Sequence, residues 1–590
     1  MAETFSDLIA AEDVLLFVNA AVTATGQREF HSGAHAQRLS LAFLHEYVRV
    51  NYRPVYAASL ALDINDHNAV LIIEALLRTP REAGPEEKRV EGRLIARRLA
   101  MLPPQRVYRL FRGLRAAGVG NRRTRAILRE WLATRPDLGH DAVKYRNGLK
   151  SAARHFHLPL SSGTTASMSS GTTTSATTAS RIAASRIAGP RTAASGTAEL
   201  GDFLFEPGRR KRYEHGLLDA YRRAHFEQGA LYELPFTVAE GFAVKHGIPR
   251  GAFLERMEPR MTRLERLRTQ RSVLAGSDAG TNGTNGTDAD STPETRTDLT
   301  VMPLTRLALY VLSLAMDERM RRRAELTRAL RTAARRAAGP YTGTWGRVAA
   351  VLDDSYSSSG SGEKRRRPLA TALSCHFLLD ALAAPGSYTP LWTSGCVDPL
   401  LVRPYGPTPL GTRIIDALDH APDRLVIVSD GWDNAPPGLA GEVLRVWRTR
   451  LDREGRTSAV HLNPVYDADG FDVRRLAPSV PTAGIRDAED LPALVEIAQF
   501  AEGRTGLAEL RAYLDRRVQR FVDDDPFCRF PGEDSVPSAG GSTSGGSGRN
   551  SGSSRDSGSS GDSGDSGSSR SSRDSGNGGS TRDEILSDGR

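Results

Sequence analysis

Five side chains in the second half of the chain are of the kind that hold a hard cation: Asp353, Ser355, Ser357, Thr408 and Asp430. Three of them alternate in Asp353-Asp354-Ser355-Tyr356-Ser357, directly after the apolar run Val348-Ala349-Ala350-Val351-Leu352. One carboxylate and two hydroxyls are oxygen ligands of the type that Mg²⁺ prefers. Thr408 lies in Gly406-Pro407-Thr408-Pro409-Leu410, a turn that opens a helix, and Asp430 ends a second apolar run (425–429) and precedes Gly431. Short continuous apolar runs read as buried parallel strands, and functional groups collect beyond the carboxyl ends of such strands. An Asp/Ser cluster alone usually makes turns and caps, so the order of the three pieces carries the reading. No nucleophile has a base beside it, and an enzyme is not implied.

Taken together, D-x-S-x-S, a Thr in a Gly/Pro turn and strand-Ser-Asp-Gly resemble the metal-ion-dependent adhesion site of von Willebrand factor A domains. The resemblance implies that Asp353, Ser355, Ser357, Thr408 and Asp430 hold Mg²⁺ or another divalent cation, some of them through water. It also implies an open coordination position for an acidic group on a protein partner. Asp433 stands near enough in sequence to join the surroundings of the cation or simply to make a turn.

The elements that must position these groups follow from periodicity. From 344 to 503, strands at 348–352, 388–392, 400–403, 425–429, 458–462 and 482–485 alternate with helices at 366–382, 410–418, 439–451 and 491–500. That alternation predicts βαβ units around a parallel sheet. Residues 4–160 read as successive short helices, with apolar positions at helical spacing in 41–48, 70–77, 107–114 and 126–132. Breakers separate them at Arg78-Thr79-Pro80, Leu102-Pro103-Pro104, Gly118-Val119-Gly120 and Arg135-Pro136. Helices resume over 201–340 (206–226, 236–244, 251–271 and a long one at 302–337), and 504–532 holds one more. Three Ser/Thr/Gly-rich stretches, 161–200, 276–298 and 533–590, lack core-forming residues and read as disordered.

At 590 residues the chain is too long for one core. Its 3 cysteines form no C-x-x-C pair, which argues against a disulfide framework and a structural zinc site. The amino-terminal apolar stretch follows Glu12-Asp13 and reads as an amphipathic helix rather than a signal peptide. With no run long enough for a membrane span, a cytoplasmic monomer without membrane contact is expected. The net charge of +9 is concentrated: 81–154 holds 19 Lys/Arg against 7 Asp/Glu, whereas 533–590 holds 6 against 9. A concentrated basic face is the footprint of a polyanion binder.

Within that face, Lys144-Tyr145-Arg146-Asn147-Gly148 is followed by Lys150-x-x-x-Arg154-x-x-His157-Leu158, and upstream lies the basic amphipathic helix 124–132. This segment resembles the TROVE domain of the Ro autoantigen family, in which a helical-repeat ring precedes an A domain. A Trp-Ser-His element usual in that family is missing, so the resemblance is to a distant bacterial member. It implies an α + α/β fold: an α-helical HEAT-like repeat ring followed by a doubly wound, Rossmann-like von Willebrand factor A domain. It further implies a ribonucleoprotein component that binds small structured noncoding RNA (Y RNA-like) and misfolded RNA 3′ ends, with Lys144, Arg146, Lys150, Arg154 and His157 on the RNA. On a helix, Lys150, Arg154 and His157 share one face.

Two other readings stay open. One is a non-RNA scaffold whose A domain binds a protein partner through Mg²⁺; the other is a chaperone subunit serving a separate ATPase, since the chain has no P-loop. His31 and His35, four apart, read as surface histidines. Arg321-Arg322-Arg323 touches RNA or sits at a helix carboxyl end, and Asp523-Asp524-Asp525 reads as a helix-end turn.

Overall fold

The computed structural model describes residues 5–79, 84–158, 192–262, 299–491 and 507–523, with Glu265, Arg266 and Thr269. Within it a helical part and a five-stranded parallel sheet share one compact unit. The sheet is built from β1 (Val348–Leu352), β2 (Tyr388–Trp392), β3 (Arg424–Val428), β4 (Ser458–Asn463) and β7 (Thr482–Gly484), in the order β2-β1-β3-β4-β7. A small antiparallel pair, β5 (Tyr466–Asp467) and β6 (Asp472–Val473), lies between β4 and β7 in the chain. Leu352 pairs with Trp392 on one side and Val428 on the other, so three strands end at the same level.

Successive residues of the central strands enter two different cores, as a period of two requires. Ala349, Val351, Leu425, Ile427 and Ala459 pack with Leu410, Ile414 and Leu444 of the helices Leu410–Asp419 and Leu439–Val446. Val348, Ala350, Leu352, Val426, Val428 and Leu462 face the other way, into a core continuous with the helical part. On that side lies the helix Arg367–Leu382, buried along most of its length, which packs in turn on Leu304–Ser313 and Arg323–Ala338. Helices therefore cover both faces, as the expected α/β class requires.

In the helical part, starts are marked by side-chain caps or proline. Asn65, Asn121 and Asp137 accept from the backbone N–H groups of Asn68, Thr124 and His140, each at 2.9 Å. Pro85 and Pro104 open Pro85–Met101 and Pro104–Ala116. Each helix packs on a near neighbour in the chain. The first helix, Phe5–Thr23, lies on β6 and β7, so both ends of the helical series meet the sheet and its helices. Leu507–Asp523 returns to pack on Phe5–Thr23, Arg53–Ala58 and Pro85–Met101.

Several expectations change. Residues 302–337 form three helices, Leu304–Ser313, Met316–Arg321 and Arg323–Ala338, not one. The stretch 206–226 is mostly loop before Gly216–Arg223, and 251–271 narrows to Arg250–Met257 with a short 3₁₀ turn after it. A helix, Thr192–Phe205, begins inside the stretch expected to be disordered to 200. Residues 400–403 form no strand; Pro399–Leu401 is a 3₁₀ turn. The expected helix 491–500 beyond Leu491, and the stretches 161–191, 276–298 and 533–590, lie outside the described residues. No described helix is long and apolar enough to cross a membrane.

Arg319 explains two of these changes at once. Its buried guanidinium donates to the carbonyl oxygens of Leu312 (2.8 Å), Val402 (3.1 Å), Leu400 and Leu314 (both 3.2 Å). It thereby satisfies the carboxyl end of one helix and the backbone that a strand would otherwise have to pair. Arg319→Ala leaves these largely buried acceptors without their donor and should destabilise the chain by about 2–4 kcal/mol. A fall in the urea midpoint at unchanged slope checks this; an unchanged midpoint refutes it.

Candidate functional site

β1 leads through Arg367–Leu382 on one face of the sheet to β2, and β3 leads through Leu439–Val446 on the other face to β4. β1 and β3 are adjacent, so the connections diverge and leave a crevice at the carboxyl ends of these two strands. That is the place where open α/β sheets bind ligands. Asp353 and Asp430 lie at those two ends, and the Asp353 N–H extends the ladder to the Val428 carbonyl at 3.0 Å.

All five expected ligands are buried. Asp353 Oδ1 accepts from the Ser355 N–H at 2.9 Å, and its Oδ2 accepts from Ser429 Oγ at 2.9 Å. Ser355 Oγ and Ser357 Oγ stand 3.2 Å apart. Asp430 Oδ1 accepts from the Trp432 N–H at 3.1 Å. Gly431 follows Asp430 at φ +79, where a Cβ would meet the Arg474 carbonyl at 2.8 Å, so only glycine fits this turn. Thr408 is tied through its backbone: its N–H donates to Asn434 Oδ1 at 2.7 Å. Asp354 fixes the loops around them. It accepts from Thr393 Oγ1 (2.8 Å), the Ser394 N–H (2.8 Å) and Ser394 Oγ (2.5 Å), while its carbonyl accepts from the Tyr405 N–H at 2.9 Å.

Behind the carboxylates, Asn463 Nδ2 donates to the Asp430 carbonyl at 3.0 Å. His461 Nε2 donates to the Ser429 carbonyl at 3.1 Å, and burial holds this imidazole down to about 4, hence neutral. Ser429, Asp354 and Asn463 were not singled out from sequence, although Ser429 stood in the Ser-Asp-Gly triplet. Asp433 has a turn role: its Oδ2 accepts from the Ala440 N–H at 2.6 Å.

Do these groups fit a cation? Asp353 and Asp430 repel each other where water is excluded, and Ser358 Oγ is buried without a hydrogen-bond partner. It lines a small cavity with Asp353, Ser429 and Asp430. Buried like charges beside an orphaned hydroxyl are what a hard cation relieves. Among the described residues, no group of three or more His, Cys, Asp and Glu side chains converges for a metal. The candidate set instead completes its oxygen donors with hydroxyls. No protein-family model matches the chain, and no curated protein matches it.

The five expected RNA-contacting residues do not form one face. Lys150 Nζ and the Arg154 guanidinium lie 5.9 Å and 5.3 Å from the Phe205 ring centroid, so two cations stand over one half-buried aromatic. Lys144 lies against Tyr145. Arg146 is turned inward, donating to the Phe203 carbonyl at 3.0 Å and stacking on Phe203 and Tyr221. The helix ends at His155, and His157 sits beyond it at φ +50, with the Leu158 N–H closing back on the Ala153 carbonyl at 3.0 Å. This is a left-handed helix stop, so His157 leaves the Lys150/Arg154 face. Phe205 and the exposed Lys211 and Arg212 just after it were missed, because nothing in sequence links them to Lys150.

Burial, then the Asp430 charge, push the Asp353 carboxyl up to about 7, from about 3.9 in an unfolded chain. Between those values the folded chain holds a proton that the unfolded chain has released, so stability falls as pH rises through that window. In metal-free buffer, Asp353→Asn should melt higher than the wild type at about pH 8, and the gap should shrink by about pH 5. Thermal melts decide; a variant that melts lower at both pH values makes the carboxylate a net stabiliser.

Proposed function

We propose that this chain is a non-catalytic RNA-binding protein of TROVE/Ro type, a ribonucleoprotein component that binds small structured noncoding RNA through its helical part. The observation that carries the reading is the placing of Lys150 and Arg154 over Phe205, with exposed Lys211 and Arg212 in the loop that follows it. An aromatic ring with cations close by offers an unpaired base a stacking partner and its phosphates counter-charges. Exposed Arg93, Arg109, Arg112, Arg122 and Arg129 extend the charge over neighbouring helices. Other arginines of the same segment are structural. Arg98 donates to the Leu62 and Ile64 carbonyls, Arg123 pairs with Glu91, and Arg135 pairs with Asp141 at 2.8 Å. The return of both ends of the helical series to the sheet and its helices supports a closed, ring-like arrangement.

The double variant Lys150→Glu/Arg154→Glu should lower the slope of log affinity against log salt by about 2 for a structured RNA. Phe205→Ala should cost about 1–3 kcal/mol if a base stacks there. Arg146→Ala should lower stability instead. Filter binding over a salt series, with melts of each variant, tests all three; RNA affinity untouched by the double variant and by Phe205→Ala removes the proposed site.

The carboxyl edge of the sheet is proposed to hold Mg²⁺ or another divalent cation through Asp353, Ser355, Ser357, Thr408 and Asp430. Bound there, the cation would neutralise the two carboxylates. At 100 times its dissociation constant it should add about 2.7 kcal/mol to unfolding, and Asp353→Ala should abolish that gain. Melts in EDTA and in excess Mg²⁺ check this; an equal gain in the variant moves the ion elsewhere.

A further inference from the structure

The candidate cation edge is not open to solvent on all sides. The segment 25–33, between Phe5–Thr23 and Ala34–Asn51, crosses from the helical part and lies on it. His31 Nε2 stands 3.3 Å from Asp430 Oδ2, and the imidazole stacks on the Trp432 indole with ring centroids 4.6 Å apart and 28° between planes. The other side of Trp432 carries the Arg474 guanidinium, 3.8 Å from the ring centroid. Phe30 meets Tyr356, within the D-x-S-x-S loop, edge to face at 5.9 Å. Glu29 pairs with Lys364, both largely buried, and the Arg28 N–H donates to Glu363 Oε2 at 3.3 Å. Four consecutive residues of the helical part thus grip the two loops that carry Asp353 and Asp430.

The segment is also anchored behind this contact. Gln37 Nε2 donates to Ser32 Oγ and to the Tyr466 carbonyl at 2.9 Å, and Ser40 Oγ stands 2.6 Å from Tyr466 Oη. It is a fixed part of the interface, supplied at the high effective concentration of an intramolecular partner. An acid from another protein would have to approach past Tyr356 and Trp432, where Phe30 and His31 already stand.

We propose that the cation edge is an internal docking site: its partner is the chain's own segment 25–33, with His31 at Asp430, and this segment excludes an outside carboxylate from the cation. The proposal rests on the cation reading given above. It assigns the site to holding the helical part against the sheet rather than to adhesion between proteins. His31 is a positioning residue in this scheme, covering the outer oxygen of Asp430.

The test uses Mn²⁺ alone as the probe, bound to the full chain, with water proton relaxation as the readout. With the segment in place, the bound ion should give little relaxation enhancement, and added acetate should leave it unchanged. His31→Ala, and separately Phe30→Ala, should raise the enhancement about twofold as a coordination position opens to water, and acetate should then lower it. Both variants keep the Glu29–Lys364 pair and Gln37, so melts should report a folded chain. A wild type that already shows the variants' enhancement and acetate response overturns the proposal while leaving the cation reading intact. Mn²⁺ bound by neither the wild type nor the variants overturns the cation reading and the proposal together.

Discussion

The arrangement at the carboxyl edge depends on β1 being buried on both of its faces. Val348, Ala350 and Leu352 point into the core shared with the helical part, while Ala349 and Val351 point to the helices on the other side. Each large side chain moved from water into such a core contributes about 1.5–3 kcal/mol. A strand held this way cannot slip by one residue without exchanging the two faces. The register with β3 is therefore fixed, and so are the places where both strands stop. Asp353 and Asp430 are adjacent because Leu352 and Val428 are paired.

That rigidity has an electrostatic consequence. Two carboxylates are delivered to one crevice with little water, and they are treated differently from their neighbour Asp354. Asp354 is saturated by donors from Thr393 and Ser394 and holds loops together. Asp353 receives donors too, yet burial and Asp430 still oppose its ionised form. Adjacent residues thus divide into one acid that builds the loop and one that the loop presents. The helical part shows the same division among its arginines. Arg98, Arg135, Arg146 and Arg319 bind carbonyls or a buried carboxylate inside, while Arg109, Arg112 and Arg129 stay on the surface. A charge count sees no difference between these groups.

Much of the αβ part was legible. Continuous apolar runs at 348–352 and 425–429, turns of Gly and Pro, and helices between them predict parallel strands, and all of these are present. The errors fall where a distant side chain replaces a local hydrogen bond. Residues 302–337 contain no Gly and only Pro303, so propensity favours one helix. The break at Leu314-Ala315 exists because Arg319 satisfies the carbonyls released there. Residues 400–403 carry an apolar run that favours a strand, yet they pair with no strand because the Leu400 and Val402 carbonyls face the Arg319 guanidinium. His157 was placed on a helical face by counting, but the chain turns into a left-handed stop two residues after the helix ends.

By itself the sequence determined the elements and the donor chemistry at each strand end, since apolar period, breakers and residue type are local properties. It also determined that one segment is rich in arginine. Only the tertiary structure decided which arginines remain outside, because that depends on carbonyls and carboxylates far along the chain. It brought Phe205 against Lys150 and Arg154 across the unpatterned stretch that separates them. It also set His31 against Asp430 and Trp432. Contacts between residues some 400 positions apart leave no periodic trace in sequence; they arise because one face of the sheet is buried by the helical part rather than by its own helices alone.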